Sequence, residues 1–198
     1  MKFLTKNPNS EILAKGITYK KDQSKNNEWL RDLLLLEQKR FCAYSEIYIR
    51  DSISVEVEHF DPSKKYNDNY YNYYSVLHSC NSHNKKMYEF YKGSGFFNSL
   101  FFQDNTEFNK RIKYKDGFYQ EIDPEDSEAI ELIEFLGFNR LQIAQDRDAH
   151  IEFLKKVFAD ANYSKEQQLE HFRKFNHHLD FITAIEVELE LDLSEFYN

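Results

Sequence analysis

The strongest constraint on this chain is an ordered set of polar residues in its first half. Glu58 and His59 stand at the end of a β-type run, and Asn72 follows after a polar spacer. The segment Cys80-Asn81-Ser82-His83-Asn84-Lys85-Lys86 then opens a stretch with helical character. A carboxylate–histidine pair that closes a strand, followed by amide and basic groups at the start of a helix, predicts a polar site in this region.

Hydrophobic periodicity predicts the elements around this set. Apolar residues at helical spacing precede it, with Asn26 or Asn27 as the expected N-cap, and β-branched residues at a period of two lead into it. The predicted elements are a helix over about 27–40, two short strands that end at His59 with a bend at 50–52, a polar loop over 61–70 and a helix over 82–91.

The second half of the chain is predicted to be mostly helical. Asp116-Gly117 is a strong hairpin signal, and helical spacing follows from Asp126 onward. We therefore predict an α+β, mainly helical fold in two parts, an N-terminal helix with a ββα unit and a small hairpin over 1–120 and a C-terminal helical region over 121–198. The helices expected in the second part lie at about 126–136, 139–161 and 164–191.

Composition limits the function classes. The 198 residues carry a formal net charge of −8, which disfavours binding of nucleic acid by bulk attraction, because phosphate contacts need clustered Lys and Arg. Lysines nonetheless gather beside the polar set, so Lys85 and Lys86 are the predicted nucleic-acid contacts. No apolar run is long enough to span a membrane, and no secretion signal opens the sequence. With only two cysteines, these features predict a cytoplasmic location without membrane contact.

The residue types in the polar set suit metal-dependent hydrolysis of a phosphodiester. That reaction needs a base for water and a divalent cation such as Mg²⁺ or Mn²⁺ to stabilise charge on the phosphate. His59, with an unperturbed pKa of about 6.5, is the candidate base. Glu58 is a candidate metal ligand, Asn72 is expected to hold the loop after His59, and Asn81 or Asn84 is expected to give a neutral oxygen to the cation.

The motifs resemble those of HNH, or ββα-metal, endonucleases of bacterial anti-phage defence. The variety most similar is the HNH subunit that is paired with an ABC-type ATPase in Septu and in some retron systems. The resemblance covers most of residues 27–150 and implies an HNH core, DNA cleavage, antiviral defence and an ATPase partner. It is carried by Phe41-Cys42-Ala43-Tyr44-Ser45-Glu46, by Val57-Glu58-His59-Phe60-Asp61-Pro62, and by Ser79-Cys80 with His83-Asn84.

The position of the last catalytic residue has two alignments. Matching Ser79-Cys80 to the family pattern makes Asn84 both the third catalytic residue and a metal ligand, but places Ser75 where the family has an earlier asparagine. Sliding the pattern back pairs Asn72 with Asn81 and loses the Ser-Cys match. We favour Asn84. In that alignment Met87 stands where the family carries a lysine.

A structural zinc site is a further feature of many family members. They carry two C-x-x-C pairs, whereas this chain has Cys42-x-x-Ser45 and Cys80-x-x-His83. Cys42, Cys80 and His83 remain as candidate ligands, one short of a closed tetrahedral set. We therefore expect no structural zinc and interpret the cysteines as small buried residues.

Two other functions remain open at this point. The chain is alternatively a non-catalytic interaction module on a degenerate HNH scaffold, or a toxin that cleaves RNA with the same residues. An apolar stripe on the predicted helix over 164–191 also suggests an interface with the partner protein or with a second copy in a homo-oligomer. Its members are Phe172, Phe175, Leu179, Ile182, Ile185 and Leu189.

Overall fold

The computed structural model describes residues 2–51, 53–67, 69–92 and 105–197. The fold is α+β and mainly helical, with two small antiparallel sheets. Its helices are α1 (Glu11–Ala14), α2 (Ser24–Glu37), α3 (His78–Tyr91), α4 (Asn105–Arg111), α5 (Ser127–Leu136), α6 (Leu141–Asp160), α7 (Lys165–Lys174) and α8 (Ile182–Glu188). Its strands are β1 (Val55–His59), β2 (Tyr73–Leu77), β3 (Ile112–Lys115) and β4 (Phe118–Glu121).

Strands β1 and β2 and helix α3 form a ββα unit. β1 pairs with β2 in antiparallel register, so that Glu58 lies opposite Tyr74 and His59 opposite Tyr73. Helix α3 follows β2 without a loop, at His78 instead of the predicted Ser82. This arrangement places the end of β1 beside the first turns of α3, where the polar residues of both elements meet.

The prediction of two strands before His59 is wrong. Residues 47–49 form no strand, and only an isolated bridge joins Tyr48 to Phe41; Ser52 of the predicted bend lies outside the described residues. The true partner, β2, follows the polar loop. Every residue of β2 is buried, so both of its faces are covered and its sequence lacks the alternation that marks a half-exposed strand.

Helix α2 is present as predicted but begins earlier, at Ser24. Asn26 and Asn27 are therefore inside the helix and do not cap it. Their side chains instead fasten the preceding segment, since Asn26 Nδ2 donates to Thr18 O at 2.8 Å and Asn27 Nδ2 donates to Lys20 O at 2.8 Å. These contacts hold the segment before α2 against the helix.

The two predicted parts of the chain share buried contacts. One hydrophobic cluster includes Phe41 and Cys80 from the first part and Phe138 and Ile185 from the second. Arg147 of α6, only 2% exposed, donates to Phe138 O at 3.1 Å and to Gly117 O in the hairpin turn at 2.8 Å. A domain boundary near residue 120 stays a prediction. None of the helices within the described ranges has the length and apolar character needed to cross a membrane.

The single helix predicted over 164–191 is wrong. α7 ends at Lys174, a 3₁₀ turn spans Asn176–His178, and α8 begins after Phe181, whose φ is +64°. Tertiary hydrogen bonds hold this break: Phe181 N donates to Glu46 O at 2.8 Å, and Tyr48 N donates to the Asp180 carboxylate at 2.7 Å. The proposed apolar stripe is largely core, because all of its members except Phe175 are buried.

A glycine at the end of α5 gives a stability prediction. Gly137 caps α5 with φ +67°, and a Cβ there would lie 2.7 Å from the His83 ring. In the turn between β3 and β4, Gly117 has φ +84° but no heavy atom within 4 Å of an added Cβ. We expect Gly117→Ala to cost about 1–2 kcal/mol from backbone strain alone, and Gly137→Ala to cost more. Urea denaturation measures both, and equal losses would contradict the His83 contact.

A histidine cluster in the second half predicts acid sensitivity. His171 Nε2 lies 2.9 Å from His178 Nδ1. The pKa of His178 is lowered to about 4, first by burial and then by the neighbouring His177, His171 and His150. An unfolded histidine has a pKa of about 6.5, so the unfolded chain binds more protons and stability falls between these values as the pH is lowered. Burial raises the pKa of Asp180, which acts in the opposite direction.

We expect His178→Gln to flatten the acid limb of a plot of unfolding free energy against pH. An unchanged acid limb would contradict this expectation.

Candidate active site

The polar residues at the end of β1 open into a cleft of about 430 Å³. Its lining comes from five segments: the segment before α2, helix α2, strand β1, the turn after β1 and helix α3. Glu58, His59, Asn81 and Lys85 of the predicted set all line this cleft. The ββα unit therefore brings residues that are separated in sequence to one surface.

Glu58 and Asn84 form the buried part of the site. Asn84 Nδ2 donates to Glu58 Oε1 at 3.3 Å. Asn84 is 1% exposed and Glu58 is 5% exposed. Within the described part of the chain, the buried Asn84 Oδ1 has no hydrogen-bond partner. Burial raises the pKa of Glu58 to about 8. A buried acceptor without a hydrogen-bond partner costs free energy, and a cation bound by both Asn84 Oδ1 and the Glu58 carboxylate would offset that cost.

His59, only 6% exposed, lines the same cleft next to Glu58. Its ring packs edge-on against Tyr19, with 4.7 Å between centroids, and against Tyr73, with 5.5 Å between centroids. Burial, together with the charge of Lys65, lowers the pKa of His59 to about 4. The imidazole is therefore neutral near pH 7, which is the form that can accept a proton from water.

Asn72 holds the backbone that follows His59. Its Oδ1 accepts from Asp61 N at 2.7 Å, its Nδ2 donates to Asp61 O at 3.0 Å, and its carbonyl accepts from Phe60 N at 2.9 Å. These three bonds join the end of β1 to the start of β2. Asn72 thus has the loop-holding geometry expected from the sequence and contacts neither Glu58 nor Asn84 in any described hydrogen bond.

Asn81 belongs to a separate polar group one turn earlier on α3. Its Nδ2 donates to Glu56, and His78 Nδ1 lies 2.7 Å from the same carboxylate. Lys85 Nζ lies 3.9 Å from Glu56 Oε2. The two candidate asparagines therefore belong to different groups, because Asn84 contacts Glu58 and Asn81 contacts Glu56.

Only one of the two candidate lysines lines the cleft. Lys85 does so with its side chain 65% exposed, whereas Lys86 is exposed on the side of α3 near His83. Two other cations reach the cleft, Arg31 of α2 and Lys65 of the turn after β1, along with Tyr19. The sequence analysis missed these three because Tyr19 lies in a weakly patterned segment and the two cations belong to ordinary polar runs.

Cys42 and Cys80 come together behind the site, with their sulfur atoms 3.9 Å apart. Leu77 N donates to Cys42 Sγ at 3.4 Å. His83, the third zinc candidate, instead points to α5, where its Nε2 lies 3.4 Å from Glu134 O. The three candidate ligands therefore do not converge.

We expect the purified protein to hold less than one zinc ion per chain. Two thiols without a third protein ligand make an incomplete site for this ion. Elemental analysis of protein purified without chelator measures the content. One tightly held zinc per chain would show that another side chain completes the site.

The residues at Glu58 fit a hard divalent cation. No group of three or more His, Cys, Asp or Glu side chains suited to a metal occurs among the described residues. The candidate donors are one carboxylate, one amide oxygen and the nearby imidazole of His59. Mg²⁺ and Mn²⁺ accept a few oxygen ligands and keep several waters, so Glu58 with the unsatisfied Asn84 Oδ1 is a suitable donor set.

Comparisons with protein-family models, with characterised proteins and with solved structures found no significant match to this chain.

Proposed function

We propose that this protein is a metal-dependent endonuclease of the HNH type that hydrolyses DNA phosphodiester bonds. The observation that carries the proposal is the Glu58–Asn84 pair, buried beside His59 at the junction of β1 and α3. The order strand, strand, helix supports it, since this is the ββα unit of the family that the motifs resemble.

Each residue has a role in the proposed reaction. Glu58 and Asn84 would hold Mg²⁺ or Mn²⁺ through their oxygen atoms. His59, neutral near pH 7, accepts a proton from the attacking water. Asn72 fixes the backbone after His59, and Lys85 contacts the phosphate. When bound, the divalent cation stabilises the charge that develops on the phosphate and on the leaving oxygen.

The biological setting follows from the resemblance. We propose that the protein acts in anti-phage defence, in the cytoplasm, with an ABC-type ATPase as partner. The net charge of −8 supports the proposal of a partner, because a subunit with little electrostatic attraction for DNA would need another protein to provide that attraction. A homo-oligomer remains a further proposal, though the buried apolar stripe no longer provides a surface for it.

A plasmid-nicking assay tests the proposed function. We expect conversion of supercoiled plasmid with Mg²⁺ or Mn²⁺, alone or together with the proposed ATPase partner, and none with EDTA. Absence of cleavage under all of these conditions would favour the non-catalytic module. Cleavage of RNA alone under the same conditions would favour the RNA-cleaving toxin.

A further inference from the structure

An exposed aromatic ledge adjoins His59. We define the ledge as Tyr19, Lys65 and Tyr66. The Tyr19 and Tyr66 rings lie 6.4 Å apart at 44°, and Lys65 Nζ lies 5.3 Å from the Tyr19 centroid and 5.8 Å from the Tyr66 centroid. Tyr66 is 58% exposed. Because Tyr19 also packs on the His59 ring, the ledge is continuous with the candidate base.

The charged side chains that line the cleft do not by themselves explain how it would bind DNA. Three cations line it, namely Arg31, Lys65 and Lys85, and three carboxyl groups line it as well, namely Glu28, Glu56 and Glu58. Lys85 lies 3.9 Å from Glu56, and Arg31 pairs with Asp32 at 2.8 Å. The cleft therefore lacks a large positive excess, so contacts other than phosphate pairing would strengthen substrate binding.

Proteins bind single-stranded nucleic acid through aromatic rings, on which bases stack, and through basic side chains, which contact the phosphates. Each base that stacks on an aromatic side chain strengthens binding by about 5- to 150-fold, without dependence on sequence. In a duplex both faces of a base are covered by its neighbours, so only an unpaired or unstacked base can reach a protein ring. Lys65 Nζ lies at similar distances from the two rings, where it can contact the phosphate of the same nucleotide.

We propose that the ledge binds an unpaired DNA nucleotide next to the scissile phosphate, so that the enzyme prefers DNA with loops, gaps or flaps to continuous duplex. This inference rests on the proposed function for its substrate class and extends it to the structure of the substrate. Tyr66 provides the stacking surface, Lys65 contacts the phosphate, and Tyr19 connects the ledge to His59.

Binding experiments separate this proposal from cleavage. A His59→Gln background in the full chain, with Mn²⁺ present, allows affinity to be measured by fluorescence anisotropy on labelled DNA without turnover. The probes are a continuous duplex, the same duplex with a short single-stranded loop, and the loop made of RNA. A fourth probe is the looped DNA duplex with 2-aminopurine in its loop, because the fluorescence of this base is quenched when it stacks on a tyrosine.

Three variants test the ledge. Tyr66→Ala removes the ring, Tyr66→Phe keeps a stacking surface, and Phe118→Ala removes another exposed aromatic ring, which lies on β4 and does not line the cleft. We expect the looped DNA to bind at least about tenfold more tightly than the duplex. Tyr66→Ala should abolish that difference and the 2-aminopurine quenching, while Tyr66→Phe and Phe118→Ala should keep both.

The possible failures are distinguishable. Equal affinity for loop and duplex, or unchanged loop affinity in Tyr66→Ala, would overturn the ledge and leave the nuclease proposal standing if plasmid nicking is seen. Tighter binding of the RNA loop than of the DNA loop would overturn the assignment to DNA. Tyr66-dependent loop binding without cleavage by the wild-type chain in any metal would keep the ledge as a binding site and overturn the nuclease.

Discussion

Replacement of His59 by alanine is expected to lower the rate of phosphodiester cleavage by about 10²- to 10⁴-fold, the usual cost of losing a general base. The expectation rests on the position of His59 at the end of β1, where it follows Glu58 and lines the cleft. Its neutral imidazole, with the pKa lowered to about 4 by burial and by Lys65, is the group best placed to take a proton from water. Single-turnover rates with Mg²⁺ measure the effect.

Controls must separate lost chemistry from lost packing, because the His59 ring contacts Tyr19 and Tyr73. His59→Gln keeps most of the side-chain volume but has no basic nitrogen, so it should lose as much rate as the alanine variant. His177→Ala removes a histidine that does not line the cleft and should keep the wild-type rate. Wild-type cleavage by either His59 variant would overturn the assignment of the base.

The second large effect concerns Glu58. Because this carboxyl group is 5% exposed and its ionised form is costly to bury, Glu58→Gln should change the stability of the metal-free protein little. The response to metal should differ strongly. A cation at about 100-fold above its dissociation constant stabilises a protein by about 2.7 kcal/mol, and we expect the wild-type chain to show a Mn²⁺-dependent rise in unfolding temperature that Glu58→Gln lacks.

Glu56→Gln is the matched control for this experiment. Glu56 lies on the same strand and lines the same cleft, but its partners are Asn81 and His78. We expect it to keep the Mn²⁺ response, because the cation is assigned to Glu58 and Asn84. Loss of the response in Glu56→Gln and its survival in Glu58→Gln would instead assign the metal to the Asn81 group.

The sequence was sufficient to predict elements whose signals are local. The hairpin at Asp116-Gly117 is present, with positive φ at both residues, because that turn depends on its own two residues. Helix α5 is capped by Asp126 and followed by Gly137 at its C-cap, close to its predicted bounds of about 126–136. Helix α6 also lies close to its predicted bounds of about 139–161, because apolar residues recur at helical spacing along it.

Elements that depend on distant contacts were mispredicted. The break between α7 and α8 contains neither glycine nor proline, and it is held by Glu46 and Tyr48, more than a hundred residues away in sequence. Strand β2 was missed because it is buried on both faces. The local pattern of polar and apolar residues therefore predicts neither the break between α7 and α8 nor strand β2.

The candidate site shows the same division. Asn84 was favoured over Asn81 because Ser79-Cys80 matches the pattern of the nucleases that the motifs resemble, and in the structure Asn84 contacts Glu58. Tyr19 and Arg31 could not be placed, since their approach to the cleft depends on how the segment before α2 and α2 itself pack against β1. Sequence order therefore indicated the chemical groups, and the packing of separate elements determined the walls around them.

The location of a bound Mn²⁺ ion tests the central claim most directly. Anomalous scattering from crystals of the full chain grown or soaked with MnCl₂ places the ion without reference to activity. The account predicts a peak in contact with the Glu58 carboxylate and Asn84 Oδ1, next to His59. A peak at Glu56 and Asn81, or no peak at the end of β1 when Mn²⁺ is saturating, would contradict it.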